Sequence, residues 1–242
     1  MRTETIEYNA DGLHMVSHLY YDETKQGRRP GVLVFPEAFG LGDHAKGRAE
    51  RIAELGYVAL ACDLHGDGRT YTQLEEVMPL LGPLMAAPSR TRARAGGGLK
   101  ALRARPEVAS DKVASIGYCF GGTMSLELAR AGEDIAGVVG FHSGLGTAKP
   151  DETKSVKPKI LICIGAEDPL IPPDLRLTFE EEMTRAGADW QIHLYGGVTH
   201  SFTNPEADKV GKPEMLRYDR NADVRSWGSM RAFFEEIFTA GG

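Results

Sequence analysis

Val113-Ala114-Ser115-Ile116-Gly117-Tyr118-Cys119-Phe120-Gly121-Gly122 is the stretch whose reading decides the fold. An apolar β-type run, 113–117, meets the helix-period segment Thr123–Ala131 through a very short turn. A nucleophilic side chain flanked by glycines between strand and helix is the setting of the G-x-S-x-G elbow, here with Cys119 in the serine place. Such a turn is strained, often at positive φ, and glycines let strand and helix approach without Cβ clashes. The thiol then stands at a helix N-terminus, where free N–H groups and the helix dipole favour an anion. A small buried thiol is the plainer alternative; the strand–turn–helix context favours the nucleophile.

Working outward, apolar runs alternate with helical segments, the order of a mostly parallel sheet with helices on both faces. Residues 3–9 and 14–22 alternate polar and apolar and read as a hairpin turned by Ala10-Asp11-Gly12. Buried strands are expected at 31–35, 57–62, 113–117, 135–141, 159–164 and 190–195. Helices are expected around Ala45, Ala49, Ile52 and Ala53 with Gly56 as cap, at 71–86 and 90–104 around Pro88, and near 173–186. Val224, Trp227, Met230, Phe234 and Phe238 form the stripe of a closing helix. About eight strands in one α/β domain over residues 1–242 is the expectation, with 71–104 a helical region near the site.

Bulk properties narrow the function classes. With 42% hydrophobic residues the chain can bury a large core. A net charge of −6 opposes nucleic-acid binding, which needs a basic face. No apolar run reaches the roughly 20 residues of a membrane span, and the N-terminus has no signal-peptide pattern. The three cysteines, Cys62, Cys119 and Cys163, are far apart and form no CxxC pair, so neither a disulfide framework nor a zinc site is expected. Free thiols suit a reducing cytoplasm. Cys62 and Cys163 lie inside apolar strands and read as core thiols.

In open α/β sheets ligands sit beyond the C-terminal ends of strands, so chemistry is sought there. A triad of this fold runs nucleophile, acid, histidine in chain order. Of the seven histidines only His193 and His200 come late enough, and His193 alternates within the last strand as a sheet-face residue. His200, in a loop just past that strand, is the expected base. After the strand at 159–164 both Glu167 and Asp168 qualify as the acid by position. Asp168 is preferred because Asp168-Pro169 closes a tight turn. An oxyanion site needs fixed N–H donors; the amides of Phe120 and Ala38 are nominated. Glu37, beside Ala38, is electrostatically unhelpful to an oxyanion unless it has another task, such as holding or accepting the Cys119 proton. Phe39, Tyr118 and Arg90 are the candidate substrate-binding side chains.

Pro36-Glu37-Ala38-Phe39-Gly40, the Cys119 elbow, Gly165-Ala166-Glu167-Asp168-Pro169 and His200-Ser201-Phe202 together resemble the dienelactone hydrolase family of α/β hydrolases, over nearly the whole chain. The resemblance implies a Cys119–His200–Asp168 triad, a Glu37 that interacts with the resting thiol, and no metal or organic cofactor. It also implies a small ester or lactone substrate. The sequence departs from the archetype at Asn204, where an arginine binding the substrate carboxylate would stand; Arg90, Arg92 and Arg94 are the alternative cations. A pocket without that arginine suits a neutral ester, a lactone or an activated phosphotriester. The expected enzyme is a cytoplasmic monomer or homodimer with no nucleic-acid or membrane partner. A non-catalytic binding module is the second class. A redox-sensing thiol is the third, and it would need a resolving cysteine near Cys119.

Overall fold

The structure is a computed structural model and describes residues 1–153 and 155–239. Its chain order is β1 (Arg2–Ala10), β2 (Leu13–Tyr21), β3 (Arg29–Phe35), α1 (Asp43–Glu54), β4 (Val58–Ala61), α2 (Leu74–Ala86), α3 (Pro88–Arg103) and β5 (Val108–Tyr118). Then come α4 (Phe120–Arg130), β6 (Gly137–Phe141), β7 (Lys159–Gly165), α5 (Pro173–Arg185), β8 (Trp190–Tyr195) and α6 (Arg220–Thr239). Short 3-10 turns lie at Pro150–Glu152 and Pro205–Val210.

The eight strands of the described residues join one sheet in the order β1-β2-β4-β3-β5-β6-β7-β8. β1 and β2 are antiparallel, β2 meets β4 antiparallel, and every pairing from β4 to β8 is parallel. This is the α/β-hydrolase arrangement that the sequence led us to expect. The hairpin turn is Asp11-Gly12, both at positive φ (51° and 73°), the twist that suits a two-residue connection.

Strand alternation divides the core in two. Leu33, Leu60, Val138 and Ile160 face α2, α3, α4 and α5. Their neighbours Val32, Ala59, Val139 and Leu161 face α1 and α6. The strand period of two thus supplies both faces of one sheet, and each helix covers a face with its apolar stripe.

Differences from expectation are mostly at element ends. The strand expected at 113–117 begins earlier, at Val108. The helix expected from Thr123 begins at Phe120, directly after Cys119. Pro88 does not separate the two helices but opens α3, where a missing N–H costs nothing. Val224, assigned to the apolar stripe of α6, is 61% exposed; the buried face runs instead through Ala222, Trp227, Met230 and Phe234.

Candidate active site

β5 and β6 are in register, Tyr118 opposite Phe141, so the residues that follow them sit side by side at the strand tips. Those residues are Cys119 at φ 53° and His142 at φ 40°, two of the non-glycine residues with positive φ. Left-handed backbone costs such a residue roughly 1–2 kcal/mol and persists only where its surroundings enforce it. The surroundings at Cys119 are glycine. A Cβ on Gly117 would lie 2.0 Å from the Gly121 carbonyl oxygen, and one on Gly121 2.4 Å from the Phe35 and Pro36 oxygens. One on Gly122 would lie 2.1 Å from Ser143 Cβ. The amide of Cys119 donates to the Phe141 carbonyl at 3.0 Å, which fixes the turn to the neighbouring strand.

The loop after β8 carries His200 back over this turn. Its backbone is held on both sides, the His200 amide to Met215 O and the Arg217 amide to His200 O. His200 Nδ1 donates to Asp168 Oδ2 at 2.7 Å, and both residues are buried. Asp168 follows β7 and also accepts from the Leu170 amide at 2.9 Å, which orients its carboxylate. His200 Nε2 is buried with no hydrogen-bond partner among the described residues. Burial works against a charged imidazole here. The negative charge of Cys119 and the Asp168 hydrogen bond outweigh it and push His200 up to about 10. Glu167, the alternative acid, is exposed at the surface.

After β3 the chain makes a turn in which the Gly40 amide donates to Glu37 O. The Ala38 carbonyl accepts from His65 Nε2 at 2.8 Å, and this sets the plane of the loop. Phe120, the first residue of α4, has one of the helix N-terminal amides that lack an intrahelical acceptor. Ala38, Cys119, Phe120 and His200 all border one cavity of about 620 Å³. Its far walls are Leu74, Met78, Leu81 and Met85, spaced along one side of α2, with Leu170 and Leu175 opposite. Glu127 is the only carboxylate among the described lining residues, and none of them is a lysine or arginine. It is buried and paired with Arg92 at 2.8 Å and Arg130 at 3.2 Å.

Several expected site residues lie elsewhere. Tyr118 does not border the cavity: its ring is fully buried and stacked on Phe141 at 4.9 Å, because strand alternation turns it into the opposite core. Arg90 makes a bidentate pair with Asp11 of the hairpin turn and lies outside the cavity wall. Arg92 and Arg94 are likewise committed, to Glu127 with Glu152 and to Asp11 with the Leu64 carbonyl. Phe39 packs against the core without bordering the cavity. Glu37 accepts from Ser201 Oγ at 2.9 Å and Asn204 Nδ2 at 2.5 Å, and among the described residues it makes no hydrogen bond to Cys119. The asparagine that replaces the expected arginine therefore holds this carboxylate.

Sequence reasoning passed over His142, His44 and Thr203, which pack behind His200. His142 stands immediately after a strand, the position searched for chemistry, but its neighbours Phe141 and Ser143 carry no motif. Cys62 and Cys163 are buried, and burial pushes both thiols up, that of Cys163 to about 12. Among the described residues no cluster of His, Cys, Asp and Glu side chains could hold a metal ion, and no helix is long and apolar enough to cross a membrane.

The sequence profile of the dienelactone hydrolase family matches residues 17–238. The chain belongs to the dienelactone hydrolase family. Within and around this family, a solved structure called m3DLH is 44% identical and superposes with a TM-score of 0.93, over 98% of both chains. The dienelactone hydrolase-like promiscuous phosphotriesterase P91, from metagenomic libraries, is 40% identical with a TM-score of 0.92, again over 98% of both. A Bradyrhizobium protein described as a probable 2-oxo-3-(5-oxofuran-2-ylidene)propanoate lactonase is 27% identical over 217 residues, 84% of this chain and 86% of its own.

Proposed function

We propose that the chain hydrolyses neutral carboxylic esters or lactones through a covalent acyl-Cys119 intermediate. The observation that carries this reading is the placement of Cys119, at a strained strand–helix turn on an apolar cavity, beside a buried His200–Asp168 pair. The Cys119 thiolate attacks the carbonyl carbon, and the amides of Phe120 and Ala38 receive the charge that develops on its oxygen. His200, held as imidazolium by the thiolate and by Asp168, gives its proton to the leaving alkoxide. It then takes a proton from the water that releases the acyl group. In this reading Glu37 stands aside from the resting thiol, its carboxylate held by Ser201 and Asn204.

A second reading, hydrolysis of activated phosphotriesters at the same centre, is supported by the P91 description at 40% identity. A phosphoryl centre also develops charge on a non-bridging oxygen, and the same amides would receive it.

Mixing the enzyme with p-nitrophenyl acetate tests the covalent step. A pre-steady-state burst of p-nitrophenol approaching one equivalent per chain is expected, and Cys119→Ala should abolish both burst and turnover. Turnover that survives in Cys119→Ala would assign the chemistry to another group.

A further inference from the structure

Behind His200, away from the cavity, lies a buried histidine that the mechanism above does not use. His142 is fully buried at positive φ, and its ring meets the His200 ring edge-on at 5.0 Å between centroids. Its Nε2 lies 2.9 Å from Thr203 Oγ1, three residues beyond His200 on the same loop. The Thr203 carbonyl in turn accepts from Arg48 Nη2 of α1 at 2.5 Å and lies 3.2 Å from His44 Nε2. Arg48 continues to Asp223 of α6 at 2.8 Å. The His142 backbone is tied as well, its amide donating to Cys163 O at 2.8 Å. Phe202 closes the far side of the ring at 5.3 Å.

We propose that His142 is a positioning residue for His200, bracing the imidazole ring directly and its loop through Thr203. The proposal rests on the reading of His200 as the proton carrier of the Cys119 reaction. Three features make His142 suited to the task. First, register with β5 puts it beside the nucleophile turn, so one rigid sheet edge sets the positions of Cys119 and of the brace. Second, the strained backbone is retained at a residue that touches both the His200 ring and the His200 loop. Third, the ring is neutral. Burial pushes it well below the ordinary histidine range, and the nearby charges of His200, His44 and Arg48 push the same way. A neutral ring can pack on an imidazolium without repelling it, whereas a second cation there would drive the proton off His200.

The groups facing His200 are Cys119 from the elbow, Asp168 from the end of β7 and His142 from the end of β6. Those acting on His142 from α1 are His44 and Arg48. Loss of the brace frees the His200 ring to turn from both Asp168 and Cys119, which are the groups that raise it. His142→Phe keeps a ring and removes the Thr203 contact; His142→Asn removes the ring and tolerates positive φ. In both, kcat on p-nitrophenyl acetate should fall at least about tenfold with KM within about twofold. The alkaline limb of the kcat/KM profile should move to lower pH by half a unit or more. Thr203→Val, which cuts the same contact from the other partner, should shift the limb the same way. It decides the matter if the His142 variants do not fold. Wild-type kcat and an unmoved profile in the folded variants, or a loss of Tm alone, would overturn the proposal. A Cys119→Ala enzyme that still turns over would instead overturn the reading beneath it.

Discussion

At the scale of single residues the site centres on His200, bonded to Asp168 and bordering the same cavity as Cys119. Burial pulls His200 down, and the Cys119 charge is the largest influence raising it, ahead of the Asp168 hydrogen bond. Removing the thiol leaves burial opposed by Asp168 alone. In Cys119→Ala, therefore, the His200 ring should titrate at lower pH than in the native enzyme, where it is pushed up to about 10. NMR of the imidazole Cε1 proton across pH 5 to about 11 measures this shift. An unchanged midpoint would mean that the thiolate does not share a proton with His200. Placing Cys119, Asp168 and His200 near one another was legible in the sequence, because each follows a strand and the fold fixes their order. Tyr118 was not placed correctly, because adjacency to Cys119 in sequence says nothing of which sheet face a strand residue takes. Arg90 was misjudged because its partner, Asp11, lies 79 residues away and only the folded hairpin brings it near.

Among the elements, the strand–turn–helix unit is governed by missing side chains. A Cβ at Gly117 would meet backbone oxygen at 2.0 Å, and backbone inside a sheet cannot move aside. Gly117→Ala should cost at least about 3 kcal/mol in urea denaturation, at the top of the range for overpacking. Gly96 of α3 is the internal control, since a Cβ there meets nothing within 4 Å. Gly96→Ala should leave stability unchanged or raise it by up to about 1 kcal/mol, by the helix preference of alanine. Equal losses in both variants would show that helix and strand do not meet at Gly117 as described. The glycines were legible as a pattern, but their partners were not. That Gly122 faces Ser143 depends on the approach of β6, which no local pattern encodes.

For the whole molecule the deciding contrast lies between the charged shell and a cavity walled mostly by apolar side chains. The three arginines of α3 that might have reached the substrate are spent on holding the molecule together, Arg90 and Arg94 against the N-terminal hairpin and Arg92 against α4. Asn204 serves Glu37. A substrate carboxylate entering the cavity away from the His200 end, where the imidazole is already bonded to Asp168, would therefore meet apolar walls and the already paired Glu127. Leaving a charged group without its hydrogen bonds costs about 1.5–3 kcal/mol for each bond lost. With two such bonds missing, a carboxylated dienelactone should react at least about 100-fold less efficiently, in kcat/KM, than a neutral lactone of the same ring, since 1.4 kcal/mol is tenfold. Apolar walls act in the opposite direction on acyl length. Each methylene buried contributes up to about 0.8 kcal/mol, so kcat/KM should climb about two- to fourfold per CH2 from p-nitrophenyl acetate toward the hexanoate. The climb should end where the chain reaches the limit of the cavity. Placing a cation on the wall inverts the first preference: Met78→Arg should raise the carboxylated lactone and lower the hexanoate in the same enzyme. Parallel kinetics on these substrates measure both slopes. A native enzyme that prefers the carboxylated lactone would mean that a cation reaches the substrate after all, and Arg92, one of the two arginines paired to the cavity carboxylate Glu127, would be the first to substitute.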